Sequence, residues 1–296
     1  MSHPGRLRHR VGEAIAKHAL WSEGARVAVA VSGRMDSMAL LDLLVQTSGW
    51  HKGVLSVVTV DHGTRPDSSQ HADFVERRAA ELGLVCVRVD RQLGPQASEV
   101  ACRVARLEAF DALDVDVVAT AHHRDDQAET LLLQLLRGAG TTGLGAMRWR
   151  SGTVVRPLLN TSRDDIRAWM THRELDWLED PSNSDPRFLR NRVRSEVMPL
   201  LERLRPGASA TMARSARVSA EEDAYIQGQL PALPDPASPF PLQLIQGLPA
   251  VLARRVVRAW AGRSLSAAAV DAVLDAVAAG LPVGRIVHMV RGSEQG

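Results

Sequence analysis

Lysine, cysteine and long apolar runs are all scarce in this chain of 296 residues. No stretch approaches the roughly 18 uncharged apolar residues of a membrane-crossing helix, so no membrane span is expected. The start, "MSHPGRLRHR", is basic with no apolar run behind it, so no secretory signal is expected either. The two cysteines, Cys86 and Cys102, form no CxxC pair. They suit a reduced cytoplasm and argue against a zinc ribbon or an iron–sulfur cluster. No Gly-Lys-Ser/Thr occurs, which excludes a Walker A loop, and no internal repeat is visible. Lysine is confined to Lys17 and Lys52, and every other basic residue is arginine. Arginine suits bidentate phosphate contacts, but a biased genome raises arginine everywhere. With a net charge of only +2, clustering has to carry any link to nucleic acid.

What is present reads as an α/β protein. Hydrophobic content of 45% and charged content of 24% are those of an ordinary soluble protein. A helix at about 11–20 precedes a first strand, Arg26 to Val31. A helix follows from about Asp36 to Val45, then a second strand, Val54 to Val60, ending in Asp61-His62-Gly63. "SSQHADFVERRAAELGL" has helical spacing and a Gly83 stop. "VCVRVD" alternates as a third strand and "ASEVACRVARLEAFDAL" is helical. "DVVATAHH" is a fourth strand ending in histidines, before the helix "DDQAETLLLQLLRGAG". Strands alternating with helices predict a parallel sheet with helices on both faces. Polar clusters sit at the ends of strands one, two and four, where open α/β sheets bind ligands. "VVRPLL" reads as a last strand or extended segment. The expected division is a catalytic domain over 1–205 and a small helical C-terminal region over 206–296, with a proline-rich loop at 230–243.

The segment "VAVAVSGRMDSMALLDLL", residues 27–44, reads as strand, tight turn and helix start. A helix N-terminus offers unpaired N–H groups and partial positive charge, and a Ser/Gly turn lets a phosphate come close. "SGRMDS" is therefore either an anion cradle or a capping turn with Ser32 or Asp36 as N-cap.

Taken in order, "AVSGRMDS", "VDHGTRPDSSQHADFVERRAAELGL", "EVACRVARLEAF", "ATAHHRDDQAETLLLQLLRGAGTTGLGAM", "VVRPLL" and "WLEDPSNSDPRFLRNRVRSEVMPLL" resemble the tRNA(Ile)-lysidine synthetases. These are members of the N-type ATP pyrophosphatase, or PP-loop, group. The resemblance covers roughly residues 25–205. It implies an enzyme that activates C2 of the wobble cytidine of tRNA(Ile) with a CAU anticodon, using ATP. L-lysine then attacks, giving lysidine and releasing AMP and pyrophosphate, so that the anticodon reads AUA rather than AUG. One position departs from the family turn, Ser-Gly-Gly-x-Asp-Ser: the second glycine is Arg34. If that position needs φ > 0, arginine strains the turn; otherwise its guanidinium can bond the departing pyrophosphate.

On this resemblance Ser32, Gly33, Arg34, Met35, Asp36 and Ser37 form the ATP phosphate loop. Asp61 and His62 stand where the family places adenosine, although His62 also fits simple turn packing. A carboxylate among phosphates is expected to bind Mg²⁺, so Asp36 is the candidate metal ligand, or else a helix cap. Asp126 and Glu129 are three apart on one helix face; a carboxylate pair suits the amino groups of lysine, or an acidic cap. The candidate catalytic residues are Asp36, Arg103, Asp126 and Arg192, with Arg106 one turn beyond Arg103. Arg187, Arg190 and Arg194 are candidates for the tRNA backbone, which gives affinity rather than base choice.

Two other readings stand beside this one. A tRNA thiolase of the same group would need catalytic cysteines or cluster ligands, which the separation of Cys86 and Cys102 disfavours. A degenerate PP-loop protein that binds nucleotide or RNA without turnover is made conceivable by Arg34. ATP-dependent AMP release on adding tRNA and lysine separates the classes. Many family members carry a further C-terminal domain; the expectation for this chain is that some tRNA contacts are missing or supplied by a homodimer.

Overall fold

The computed structural model describes residues 4–64, 68–179, 188–232, 242–261 and 267–280. The stretch 233–241 of the proline-rich loop, and Arg187, lie outside the described residues. The chain forms two compact units, 1–220 and 221–296.

The first unit opens with α1 (Pro4–Lys17), longer at its start than the expected helix because Leu7, Val11 and Ile15 repeat at four-residue spacing and are all buried. Then come β1 (Arg26–Ala30), α2 (Met35–Gln46), the short α3 (Ser48–His51), β2 (Val54–Asp61), α4 (Ser68–Glu81), β3 (Cys86–Asp90), α5 (Glu99–Asp111) and β4 (Val117–Ala119). They are followed by α6 (Arg124–Leu136), α7 (Thr141–Leu144), β5 (Arg150–Ser151), β6 (Val154–Val155) and α8 (Arg163–His172). After the undescribed stretch come α9 (Leu189–Arg192), a π-helical turn (Val193–Val197), α10 (Met198–Leu204) and α11 (Ala208–Gly228), within which the unit ends.

The sheet order is β3-β2-β1-β4-β6-β5. All neighbours are parallel except β5 and β6. That two-residue antiparallel edge is too short to leave an alternating pattern in the sequence. Central β1 is buried on both sides. Val27 and Val29 join α1, α2, α4 and α8 in the main core, while Ala28 faces a second cluster with Val58, Val118 and Phe110 of α5. Helices therefore cover both faces, as the alternation of elements predicts. A buried carboxylate fastens α2 to α8: Asp42 accepts from Trp169 Nε1 at 3.0 Å and from Arg173 at 3.2 and 3.3 Å.

The chain runs from β1 outward to β2 and β3, then returns to place β4 on the other side of β1. This reversal makes a crevice at the C-terminal ends of β1 and β4. In the second unit, α12 (Leu242–Ile245), α13 (Ala250–Ala261) and α14 (Ala267–Ala278) close on a small core of Val256, Val257, Trp260, Val270 and Val273.

Candidate active site

The turn after β1 is a compact hydroxyl-braced loop. Ser37 Oγ accepts from the Ser32 N–H at 3.1 Å, lies 3.2 Å from Ser32 Oγ and donates to the Arg34 carbonyl at 2.9 Å. Gly33 has φ +78°, a left-handed conformation that favours glycine. Its carbonyl accepts from the Leu178 N–H at 2.9 Å, so the segment 177–179 after α8 holds the loop in place. Asp36 lies in the first turn of α2, and its Oδ1 is buried without a hydrogen-bond partner among the described residues.

Arg34 caps α2 with φ −81° and ψ 160°. This is ordinary extended backbone open to any residue. The strain expected from φ > 0 does not exist here, which corrects the reading that Arg34 distorts the turn.

At the end of β4, His123 and the first turn of α6 meet the phosphate loop. The His123 N–H donates to Asp126 Oδ2 at 3.0 Å. Its Nε2 lies 3.4 Å from Asp126 Oδ2 and 3.7 Å from Asp36 Oδ2. Burial disfavours a charged ring, but the carboxylates of Asp126, Asp36 and Asp125 outweigh it and raise the His123 pKa to about 9. The ring thus bridges the carboxylate of the phosphate loop and that of α6. Asp125 serves the scaffold, accepting from the Arg163 N–H at 2.9 Å.

Asp126 and Glu129 are both buried, 7% and 3% exposed. Arg194 spans them, with Nε 2.7 Å from Glu129 Oε1 and Nη2 2.8 Å from Asp126 Oδ1. Arg190 spans them less closely, at 3.2 Å to Glu129 Oε2 and 3.3 Å to Asp126 Oδ1. Burial opposes the charge on Asp126, yet His123, His122, Arg190 and Arg194 hold its carboxyl well below the usual range.

A second feature is a basin of like charge. Arg106 is lowered from its ordinary pKa by burial and then by Arg103, Arg190 and Arg34. Arg156, which follows β6, is lowered to about 10 by burial and by Arg103. His62 is lowered by burial and then by Arg106, with Arg34 adding to the effect. His122 is lowered to about 3, mainly by burial, with Arg156, Arg106 and Arg190 acting in the same direction against Asp126. Clustered cations that repel one another are stabilised by an incoming anion.

The crevice brings together Ser32, Gly33, Arg34, Asp36, Ser37, His62, Arg103, Asp126, Glu129, Arg190 and Arg194, whereas the Met35 side chain is buried in the main core. Asp61, at the end of β2, is engaged by the protein itself: Oδ1 accepts from the Gly63 N–H at 2.9 Å and Oδ2 from Arg88 at 3.4 Å. Gly63 closes that turn with φ +60°, and a Cβ there would stand 2.7 Å from the Arg91 carbonyl oxygen. Arg192 is turned away. It is largely exposed and pairs with Glu196 at 3.4 Å. Residues 190 and 194 are four apart and share the face toward α6, whereas 192 is half a turn off. The role considered for Arg192 therefore fits Arg194 better. Sequence reasoning passed over His123 and Arg156. The adjacent "HH" at a strand end was the available signal for the first; an arginine directly after an apolar pair was a weak signal for the second.

This crevice defines a class. A family model described as PP-loop domain matches residues 6–201, and the chain belongs to that family. Among curated relatives, a tRNA(Ile)-lysidine synthase of Xanthomonas campestris is 38% identical over 80% of this chain and 57% of its own length. That of Geobacter sulfurreducens is 42% identical over 71% of this chain and 47% of its own. That of Pseudomonas aeruginosa is 38% identical over 87% and 62%. The chain thus spans about half to three fifths of the length of such relatives. In fold it resembles the U34-tRNA thiolase NcsA from Methanococcus maripaludis, with a TM-score of 0.61 at 18% identity over 73% of this chain and 79% of that one. No helix among the described residues is long and apolar enough to cross a membrane.

Proposed function

We propose that this chain is a tRNA(Ile)-lysidine synthetase, which uses ATP to join lysine to C2 of the wobble cytidine of tRNA(Ile) in the cytoplasm. One observation carries the reading: a phosphate turn and a buried carboxylate pair, Asp126 and Glu129, meet at one crevice beside a basin of arginines. The turn suits a triphosphate, the basin suits the phosphates that move, and the carboxylates suit the amino groups of lysine. The lysidine synthases that match most of this chain support the substrate choice.

In the first half-reaction the cytidine O2 attacks the α-phosphorus of ATP. A P–O bond forms, the bond to pyrophosphate breaks, and O2 carries AMP. The Ser32–Ser37 turn and Arg34 receive the growing charge on pyrophosphate. In the second, the lysine ammonium loses a proton to solvent, the freed amine attacks C2, and the C2–O2 bond breaks to release AMP while the new C–N nitrogen gives its surplus proton to solvent. Asp126 and Glu129 bind and orient the amine. Arg103, Arg106 and Arg156 hold the adenylyl phosphate as it departs. The unpartnered buried Oδ1 of Asp36 fits a hard cation. Among the described residues no group of three or more His, Cys, Asp or Glu could hold a metal alone, so Mg²⁺ at Asp36 would complete its shell with phosphate and water. When bound it supplies charge to the phosphates. A thiolase is disfavoured because burial pushes the Cys86 thiol up to about 11, far from a reactive thiolate.

The test is AMP and pyrophosphate release by the purified chain with ATP, Mg²⁺, lysine and tRNA(Ile) transcript. Pyrophosphate release should require the transcript, and AMP release should require both the transcript and lysine. Pyrophosphate formed without the transcript, or AMP formed without lysine, would sink the assignment.

A further inference from the structure

Two arginines occupy the carboxylates that the proposed function assigns to lysine. The oxygens of the pair are already taken: Asp126 Oδ1 and both Glu129 oxygens by the two guanidiniums, and Asp126 Oδ2 by His123. Both carboxylates are buried, so an arriving ammonium reaches them only at a place a guanidinium now holds, and a charge buried there without a partner is costly. One guanidinium therefore has to leave when the amine enters. The geometry tells the two apart. Arg194 makes the closer contacts, 2.7–2.9 Å to Glu129 and Asp126. It sits in the π-helical turn Val193–Val197, where Val193 packs with Ala128 and Leu133 of α6. Arg190 precedes that anchor, in the four-residue α9, and its contacts are 3.2 and 3.3 Å. π-Turns inserted between helices are frequent at functional sites.

Arg190 also feels the basin. While bonded to the carboxylate pair, it is within electrostatic reach of the arginine basin, its charge acting on Arg106 and on His122. The basin's arginines repel it and the carboxylates hold it. A phosphate in the basin reverses that balance.

We propose that Arg190 is a coupling residue: it holds Asp126 and Glu129 until a nucleotide phosphate enters the basin, then turns to that phosphate and yields its place to the amine of lysine. The proposal rests on the reading under Proposed function. Lysine then binds well only after the nucleotide, so that no amine waits beside an unactivated base. After the exchange Arg194 and the ammonium share the carboxylates, with His123 still on Asp126. Arg190 is a positioning residue here; the nucleophile is held by Asp126 and Glu129.

Calorimetric titration of lysine tests this on the whole chain, alone and with saturating α,β-methylene-ATP and Mg²⁺. The wild type should bind lysine about tenfold or more tightly with the analogue present. By reciprocity, lysine should tighten the analogue by the same factor. In Arg190→Gln the coupling should fall to within about twofold, with lysine binding the nucleotide-free variant more tightly than it binds the nucleotide-free wild type. A residue that merely supports the fold would weaken binding without erasing the coupling. Arg190→Met, which keeps the aliphatic stem, is the second variant should the glutamine form fail to fold. Equal lysine affinity of the wild type with and without analogue overturns the proposal, as does full coupling in a folded Arg190 variant. Lysine incorporation without coupling would defeat only this proposal. No lysine binding in any state, together with no incorporation, would defeat the proposed function as well.

Discussion

Replacing Arg34 by glycine would restore the second glycine of the family turn, and the outcome depends on why arginine is tolerated there. At φ −81° and ψ 160° arginine carries no backbone strain, so glycine has none to relieve. The substitution would only remove a guanidinium whose charge acts on both His62 and Arg106, at the mouth of α2. One charge-assisted hydrogen bond to departing pyrophosphate is worth about 1.5–3 kcal/mol. At about 1.4 kcal/mol per decade, that is a fall in turnover of roughly ten- to a hundredfold. Added chain entropy costs about 0.5–1 kcal/mol of stability, too little to unfold a domain with this core. The assay is steady-state AMP release at saturating ATP, lysine and tRNA, with a thermal melt to confirm folding. A glycine variant as fast as the wild type, or faster, would refute the leaving-group argument.

Three further outcomes follow from the same geometry. Asp36→Ala should lose lysine incorporation, because its buried Oδ1 has no hydrogen-bond partner among the described residues and suits a cation; full activity with unchanged Mg²⁺ dependence would reduce Asp36 to a helix residue. Asp126→Asn and Glu129→Gln should each raise the KM for lysine far more than that for ATP, and the opposite split in steady-state kinetics would move the amine site elsewhere. Asp42→Ala should leave the Trp169 N–H buried and unpaired and cost about 1–3 kcal/mol. A melting temperature equal to wild type would show that the α2–α8 joint does not depend on it.

Much of this was legible in the residues, for physical reasons. The run "RVAVA" reads as a strand buried on both faces, and it is β1 at the centre of the sheet. Ser32-Gly33 reads as a turn because only glycine takes φ +78° without cost. The spacing of Asp126 and Glu129 places both on one helix face, and both are buried there. Other features could not be read locally. Arg190 and Arg194 meet those carboxylates across more than sixty residues of sequence, which no periodicity encodes. The π-turn beginning at Val193 changes the helical phase just where the arginines are counted, and Arg192 faces outward. The φ of Arg34 is set by the turn as a whole, including the Leu178 N–H that holds Gly33. The two-residue β5 is created by its pairing with β6 and leaves no pattern of its own.

The central claim is that this chain attaches lysine to one cytidine of an isoleucine tRNA at the expense of ATP. The most direct measurement is incubation of the purified chain with tRNA(Ile) transcript bearing CAU, radiolabelled lysine, ATP and Mg²⁺, followed by digestion and nucleoside mass analysis. The account predicts label in one modified cytidine at the wobble position, in step with AMP formed, and none when ATP is omitted or the wobble base is changed. ATP bound and the tRNA retained, with AMP never formed and the wobble cytidine left unmodified, would contradict it.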